Sequence, residues 1–193
     1  MNKGEMLSNA IVLATNKHAG QFDKGGQPYI LHPLTVMSFL GADADEELRC
    51  IAVLHDVIED THTTYEELRE AGMSKRVIDG VRALTKVLGE TYDEYKEKVF
   101  ANVDAMKAKK CDLQHNSDIR RIKERKITET DVRRIARYQA FYLEIEDRLA
   151  PKEVAPVAWY DPTNVDPAQS VTFSEGKQKQ FPHLYPVPLV PKT

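Results

Sequence analysis

The chain has 193 residues, 41% of them hydrophobic and 30% charged, with a formal net charge of -3. That is enough for one domain with an appendage and a sizeable core, in the composition range of soluble globular proteins. The acidic balance argues against nucleic-acid binding driven by charge.

Two cysteines, Cys50 and Cys111, make no disulfide framework and point to a reducing cytoplasm. No apolar run approaches the roughly 18 residues of a membrane span. Met1 to Ser8 lacks the apolar core of a signal peptide.

Leu7, Ala10, Ile11, Ala14 and His18 recur at three- and four-residue steps, so Glu5 to Ala19 is predicted helical, with Gly20 ending it. Two glycines and a proline make Gln21 to Pro28 a loop. Pro33 suits the first turn of the next helix, which places His32 at its entrance, and Gly41 stops it. A third helix starts near Asp45 and carries an apolar run into His55-Asp56-Val57-Ile58-Glu59-Asp60. Thr63 with Glu66 offers a capping box for a short helix ending at Gly72. Ser74 caps another, with Val77, Ile78, Val81 and Leu84 inward. Thr91 with Glu94 is a second box, for a helix to about Asn102. Asp104 to Asn116 reads as a helix carrying Lys109, Asp112 and Asn116, and a basic stretch, Arg120 to Lys126, follows. Thr130 to Leu149 is a long last helix with Val132, Ile135, Tyr138, Phe141, Tyr142, Ile145 and Leu149 on its inner side. No strand is evident up to this point, so the fold class is all-α, about seven or eight helices over residues 1–150.

Eight of the ten prolines lie from Pro151 onward, which rules out continuous helix in residues 151–193. There Val154 to Tyr160 and Ser170 to Phe173 are predicted to pair as a small hairpin. Trp159, Phe173, Phe181, Leu184 and Tyr185 supply a mini-core or a docking face for this appendage.

The chemistry concentrates at His55 to Asp60. At about 3.6 residues per turn, His55 and Glu59 share the face of Leu48, Ile51 and Ala52, and Asp56 and Asp60 run along its edge. Carboxylates on a face that should be buried are costly unless protonated or held against a cation. Two imidazoles and two carboxylates, His32, His55, Asp56 and Asp112, suit a manganese, iron or zinc type of ion better than calcium or magnesium. A carboxylate one turn beyond such ligands, Glu59, can reach a water as general base. Lys24, Lys109, Arg120, Arg121 and Lys123 could offset substrate phosphates.

The order His32, His55-Asp56, Asp112 resembles the HD-domain metal phosphohydrolases. Four stretches narrow this: His18-Ala19-Gly20-Gln21, Gly26-Gln27-Pro28-Tyr29-Ile30-Leu31-His32-Pro33, Leu54-His55-Asp56-Val57-Ile58-Glu59-Asp60-Thr61 and Lys109-Lys110-Cys111-Asp112-Leu113-Gln114-His115-Asn116. Together they are similar to the hydrolase domain of the RelA/SpoT homologues, and especially to its stand-alone form, the small alarmone hydrolases. The similar stretches span about Glu5 to Leu149 and leave no room here for the family's synthetase domain.

The resemblance implies an HD-domain helical bundle in which His32, His55, Asp56 and Asp112 bind one Mn2+. It implies that Glu59 and Asp60 handle the nucleophilic water and proton transfer, and that Lys24, Asn116 and Tyr138 meet the nucleotide. The reaction implied is removal of pyrophosphate from the 3′ position of guanosine tetra- or pentaphosphate. One position departs: where the family usually carries an arginine before Lys24, this chain has Asp23, preceded by Phe22. That keeps two alternatives open. One is the same hydrolase acting on another nucleotide, a deoxynucleoside triphosphate or a dinucleotide phosphate. The other is a non-catalytic nucleotide-sensing module. The expected partner is a small nucleotide, with no nucleic acid and no membrane, and the oligomeric state stays open.

Overall fold

The computed structural model describes residues 2, 4–122, 126–151, 159–160 and 171–172. The chain divides into two compact units, Met1–Ala150 and Pro151–Thr193. The first is built of helices: α1 Glu5–Lys17, α2 Leu31–Phe39, α3 Glu46–Leu54, α4 Tyr65–Glu70, α5 Lys75–Leu84, α6 Tyr92–Phe100, α7 Val103–Asn116 and α8 Glu129–Leu149, with a 3-10 turn at Ile119–Arg121 before α8.

The architecture centres on α3. Cys50, Ile51, Ala52, Val53 and Leu54 are fully buried, a stretch apolar all round. Such a helix is stable only when surrounded, and α1, α2, α5 and α7 pack on it. Asp45 starts α3 by accepting the Leu48 N–H at 2.9 Å, satisfying a donor that the first turn leaves unpaired. Leu113 of α7 and Phe141 and Ile145 of α8 close the core from the other side.

Three local expectations change. The sequence carries the third helix through Asp60, but α3 ends at Leu54, and the Val57 N–H bonds back to the Leu54 carbonyl at 3.0 Å in a tighter turn. The first capping box is Thr64 with Glu67, one residue later than Thr63 with Glu66; Thr63 is buried instead, its hydroxyl 2.7 Å from that of Thr61. Val132 faces outward at 57% exposure, because the buried side chain in the first turn of α8 is Asp131, tied into the Thr128 cap. The Ser74 cap and the Thr91–Glu94 box stand where the sequence places them.

In the second unit, Trp159–Tyr160 (β1) and Val171–Thr172 (β2) pair antiparallel, Trp159 opposite Thr172 and Tyr160 opposite Val171. These fall within the two stretches predicted to form a hairpin. Phe173, Phe181, Leu184 and Tyr185 lie outside the described residues.

Gly80 fixes how closely α5 approaches α3. A Cβ there would sit 2.5 Å from Cδ1 and 2.8 Å from Cγ1 of Ile51. Ile51 is fully buried and β-branched, so it cannot swing aside. Alanine would gain about 1 kcal/mol of helix propensity, but overpacking costs about 1–3 kcal/mol. Gly80→Ala is therefore expected to destabilise, lowering the urea midpoint at unchanged m-value; a raised midpoint would show that the α3–α5 contact has slack.

Candidate active site

Three buried elements deliver four side chains to one point. His32 comes from the first turn of α2, His55 caps the end of α3 with Asp56 following, and Asp112 lies on α7. These helices pack on one another pairwise. His32, His55 and Asp112 are each 3% exposed. His55 Nε2 lies 2.9 Å from Asp56 Oδ2 and 3.6 Å from Asp112 Oδ1. His32 Nε2 lies 3.1 Å from Asp112 Oδ1 and 3.5 Å from Asp56 Oδ2. Ligand atoms of His32, His55 and Asp56 fall within 4.8 Å of one another.

Despite these short approaches, His55 Nε2 makes no hydrogen bond of acceptable geometry and is fully buried. The Ala52 carbonyl, close to the end of α3, takes the other ring nitrogen, Nδ1, at 2.8 Å. A carbonyl only accepts, so Nδ1 carries a proton and Nε2 is the ring atom turned toward the carboxylates. Carboxylates in so buried a site require positive charge beside them, on the ring itself or on a bound ion. Burial alone would lower the pKa of His55, yet Asp56 and Asp112 hold it well above its ordinary value. Burial would likewise raise Asp112, yet Lys109 at 2.8 Å and the two imidazoles hold it well below. The cluster demands a cation, and its nitrogen and oxygen donors fit a divalent transition metal.

His32 is oriented from behind. Its Nδ1 lies 2.7 Å from Nδ1 of His115, and the rings are within 12° of coplanar. The nitrogens are closer than stacked faces allow, so this is an in-plane N–H···N bond. Burial, with Arg121 and His32, pushes His115 down to about 4, so it is neutral at pH 7. A neutral His115 can accept from His32 Nδ1, which would leave His32 Nε2 turned to the centre as a cation needs.

Glu59 and Asp60 lie in the turns after α3. Burial raises Glu59; the Lys86 N–H, donating to Oε2 at 2.8 Å, opposes this, and Asp56 and Asp60 push it further up. Burial and Asp56 raise Asp60 too. The Tyr29 hydroxyl donates to Asp56 Oδ2 at 2.6 Å and lies 3.0 Å from Asp60 Oδ2. Burial and these two carboxylates keep the phenol protonated, far above its usual range.

Two cavities meet here. One, about 390 Å³, is lined by His55, Asp56, Glu59 and Asp112 together with Lys86, Lys109 and Arg137. The other, about 290 Å³, is lined by Phe22, Lys24, Arg121, Ile122, Arg134 and Ile135, among others. Tyr29, Asn116 and Tyr138 border both. The predicted Lys24, Asn116 and Tyr138 are thus all brought to the cleft. Among the predicted phosphate cations, Lys109 and Arg121 line it, Arg120 is paired with Asp118, and Lys123 lies outside the described residues.

The sequence reading assigned no role to Tyr29 or His115, nor to Lys86, Arg134 and Arg137. His115 was within reach, one turn beyond Asp112 on α7. Tyr29 reads as an ordinary aromatic until the fold carries it across to Asp56.

A helical bundle with two His and two Asp converging at its centre defines a metal-binding HD fold, and residues 10–123 match the family described as HD domain. The chain belongs to that family. It is 34% identical over 105 residues to a guanosine-3′,5′-bis(diphosphate) 3′-pyrophosphohydrolase of Aquifex aeolicus, covering 52% of this chain and 15% of the relative. It is 43% identical over 86 residues to a protein of the same name from Haemophilus influenzae, covering 43% of this chain and 13% of the relative. It is 37% identical over 105 residues to a GTP pyrophosphokinase of Myxococcus xanthus, covering 53% of this chain and 14% of the relative. The chain thus spans a small part of the length of these relatives. A solved structure described as a metazoan ortholog of SpoT that hydrolyses ppGpp shares the fold at TM-score 0.60 and 23% identity, over 78% of this chain and 88% of its own. Among the described residues no helix is long and apolar enough to cross a membrane.

If His115 orients His32, His115→Phe should lower Mn2+ affinity about 10–100-fold, read by electron paramagnetic resonance titration. His115→Gln, which can present an acceptor oxygen, should retain most of it. Equal affinity in His115→Phe and the parent protein would show that α2 alone fixes the ring.

Proposed function

We propose that the chain is a metal-dependent pyrophosphohydrolase that removes the 3′ pyrophosphate of (p)ppGpp, leaving GDP or GTP. The observation that carries the reading is the juxtaposition at one cleft: a buried His–Asp cluster that needs a cation opens onto a cavity holding Lys86, Lys109 and Arg137. A second cavity large enough for a nucleoside adjoins it. The names of the relatives point to the same substrate. Residues 1–150 form the catalytic part in this reading and 151–193 a separate appendage. The setting is a reducing cytoplasm, where the buried Cys50 and Cys111 stay free.

His32, His55, Asp56 and Asp112 hold the ion, manganese in this reading. When bound, it supplies Lewis acidity toward a phosphoryl oxygen and acidifies a water. Glu59 accepts the proton of the attacking water, its raised pKa making it a stronger base than an exposed carboxylate. Tyr29 donates to Asp56 and stands beside Asp60. In our reading it fixes both so that only Glu59 is free to move a proton. Lys86, Lys109 and Arg137 offset the charge of the pyrophosphate as it passes to the water oxygen, and Glu59, protonated in that step, returns its proton to the ribose 3′ oxygen that leaves. Asn116 and Tyr138, at the border of the cavities, set the ribose between the base and the phosphorus, and Lys24 faces the phosphates on the nucleoside side.

Asp23 favours a second reading in which the nucleoside differs. A panel of ppGpp, deoxynucleoside triphosphates and dinucleotide phosphates with Mn2+ separates the two. Release of pyrophosphate with GDP, absent in Asp56→Ala, is the expected result. Release of orthophosphate alone, or turnover of the other nucleotides only, would overturn the alarmone assignment. Glu59→Gln should lower kcat about 10²–10⁴-fold with Mn2+ affinity unchanged. Equal loss of metal affinity would make Glu59 a ligand and not a base.

A further inference from the structure

We propose that Asp23 and Arg121 form a positioning pair that shapes the nucleoside cavity. Asp23 never meets the nucleotide, and Arg121 carries the contact. The inference rests on the nucleotide-hydrolase reading above and says which residues set its specificity.

Asp23 lines the cavity, but three of the roughly four lone-pair sites of its carboxylate are already engaged within the protein. Its Oδ1 accepts the N–H groups of Gly25 and Gln27, each at 2.9 Å. Its Oδ2 accepts Arg121 Nη2 at 3.0 Å. A carboxylate sharing two backbone donors and a guanidinium is committed to structure. The Asp23 N–H also bonds to the Gln27 carbonyl at 2.8 Å, and Phe22 bridges to Pro28, so the loop closes on itself. Gly26 stands at φ 73°, a turn that glycine enters without strain.

The loop also docks tightly. A Cβ on Gly25 would lie 2.5 Å from the Arg121 carbonyl oxygen. Only glycine lets this backbone approach so near, and this contact is independent of the ion pair. Both fasten residues 22–28 to the segment after α7.

Arg121 is held flat from two sides. Nη2 is on Asp23, and Nη1 donates to Asn116 Oδ1 at 2.9 Å. The guanidinium is thereby pinned at the wall of a cavity whose other walls include Phe22, Ile122, Ile135 and Tyr138. A planar cation among aromatic and aliphatic walls suits the face of a purine. Such a device places an arginine at the base while the loop itself carries an acid.

Two experiments test the pair. In metal-loaded protein without nucleotide, Arg121→Ala should speed amide exchange at Gly25 and Gln27 by about tenfold or more. Unchanged exchange overturns the clamp, whatever the substrate proves to be. With ppGpp, Asp23→Asn keeps the loop acceptor but loses the ion pair. It should raise KM about tenfold with kcat within about twofold and Mn2+ affinity intact. The reversed pair Asp23→Arg with Arg121→Asp, which moves the guanidinium to the loop, should recover part of that KM. A KM unaffected by Asp23→Asn and Arg121→Ala overturns the proposal. If the parent protein turns over another nucleotide of the panel and not ppGpp, the alarmone reading falls. The pair is then judged by the same KM comparison on that nucleotide.

Discussion

Everything in the cleft follows from setting a buried and a half-buried carboxylate beside two buried imidazoles. Asp112 is 3% exposed and faces both rings with Lys109 2.8 Å away, so the site favours positive charge. The fold imposes this arrangement through α3. A helix buried on all sides cannot carry a polar side chain along its length without a partner, so the ligands appear where it stops. The end of α3 frees the Ala52 carbonyl to bind the His55 ring N–H, which decides the tautomer. Helix termination and the orientation of the His55 ring are therefore one event.

The departure from the sequence-based reading is instructive for the same reason. Spacing placed His55, Glu59, Asp56 and Asp60 on one continuous helix, and the residue types led to a metal and a base. Neither inference requires the helix to continue, because the tight turn after Leu54 keeps the same residues close in sequence and in space. Helical periodicity cannot announce its own end when no glycine or proline marks it. The Thr63–Glu66 box failed for a related reason: Thr64 and Glu67 fit the same pattern one residue on, and only burial chooses between them. Helix order and most caps were legible because they depend on local chemistry, and the His–Asp cluster because the order His32, His55-Asp56, Asp112 resembles a known family's. Tyr29, His115 and Arg137 were not, because their partners lie on other elements.

The two cavities share more than a border. Asn116 donates to Asp112 Oδ1 at 2.5 Å and accepts from Arg121 at 2.9 Å. With Asp23 on the far side of Arg121, an unbroken line of hydrogen bonds joins the glycine-rich loop to Asp112 of the His–Asp cluster. These two bonds use one of the two amide protons and one of the two carbonyl lone pairs of Asn116, and they fix which way the amide points.

That constraint bears on Asp23. Judged alone, an acid beside Lys24 looks hostile to a polyanionic substrate. In the folded protein its charge is matched by Arg121 on Oδ2, and its Oδ1 is held by two amides of the loop. Burial would raise its pKa, but the Gln27 and Gly25 amides and Arg121 bring it below the ordinary value. The acid is thus largely offset within the fold, and Lys24, Arg121 and Arg134 outnumber Asp23 and Asp118 in the cavity lining, although Arg134 is itself paired with Asp131. Specificity in such a cleft depends on which residue carries the guanidinium and what holds it still. A one-letter departure in the loop is accordingly no measure of lost function until its partner across the fold is known.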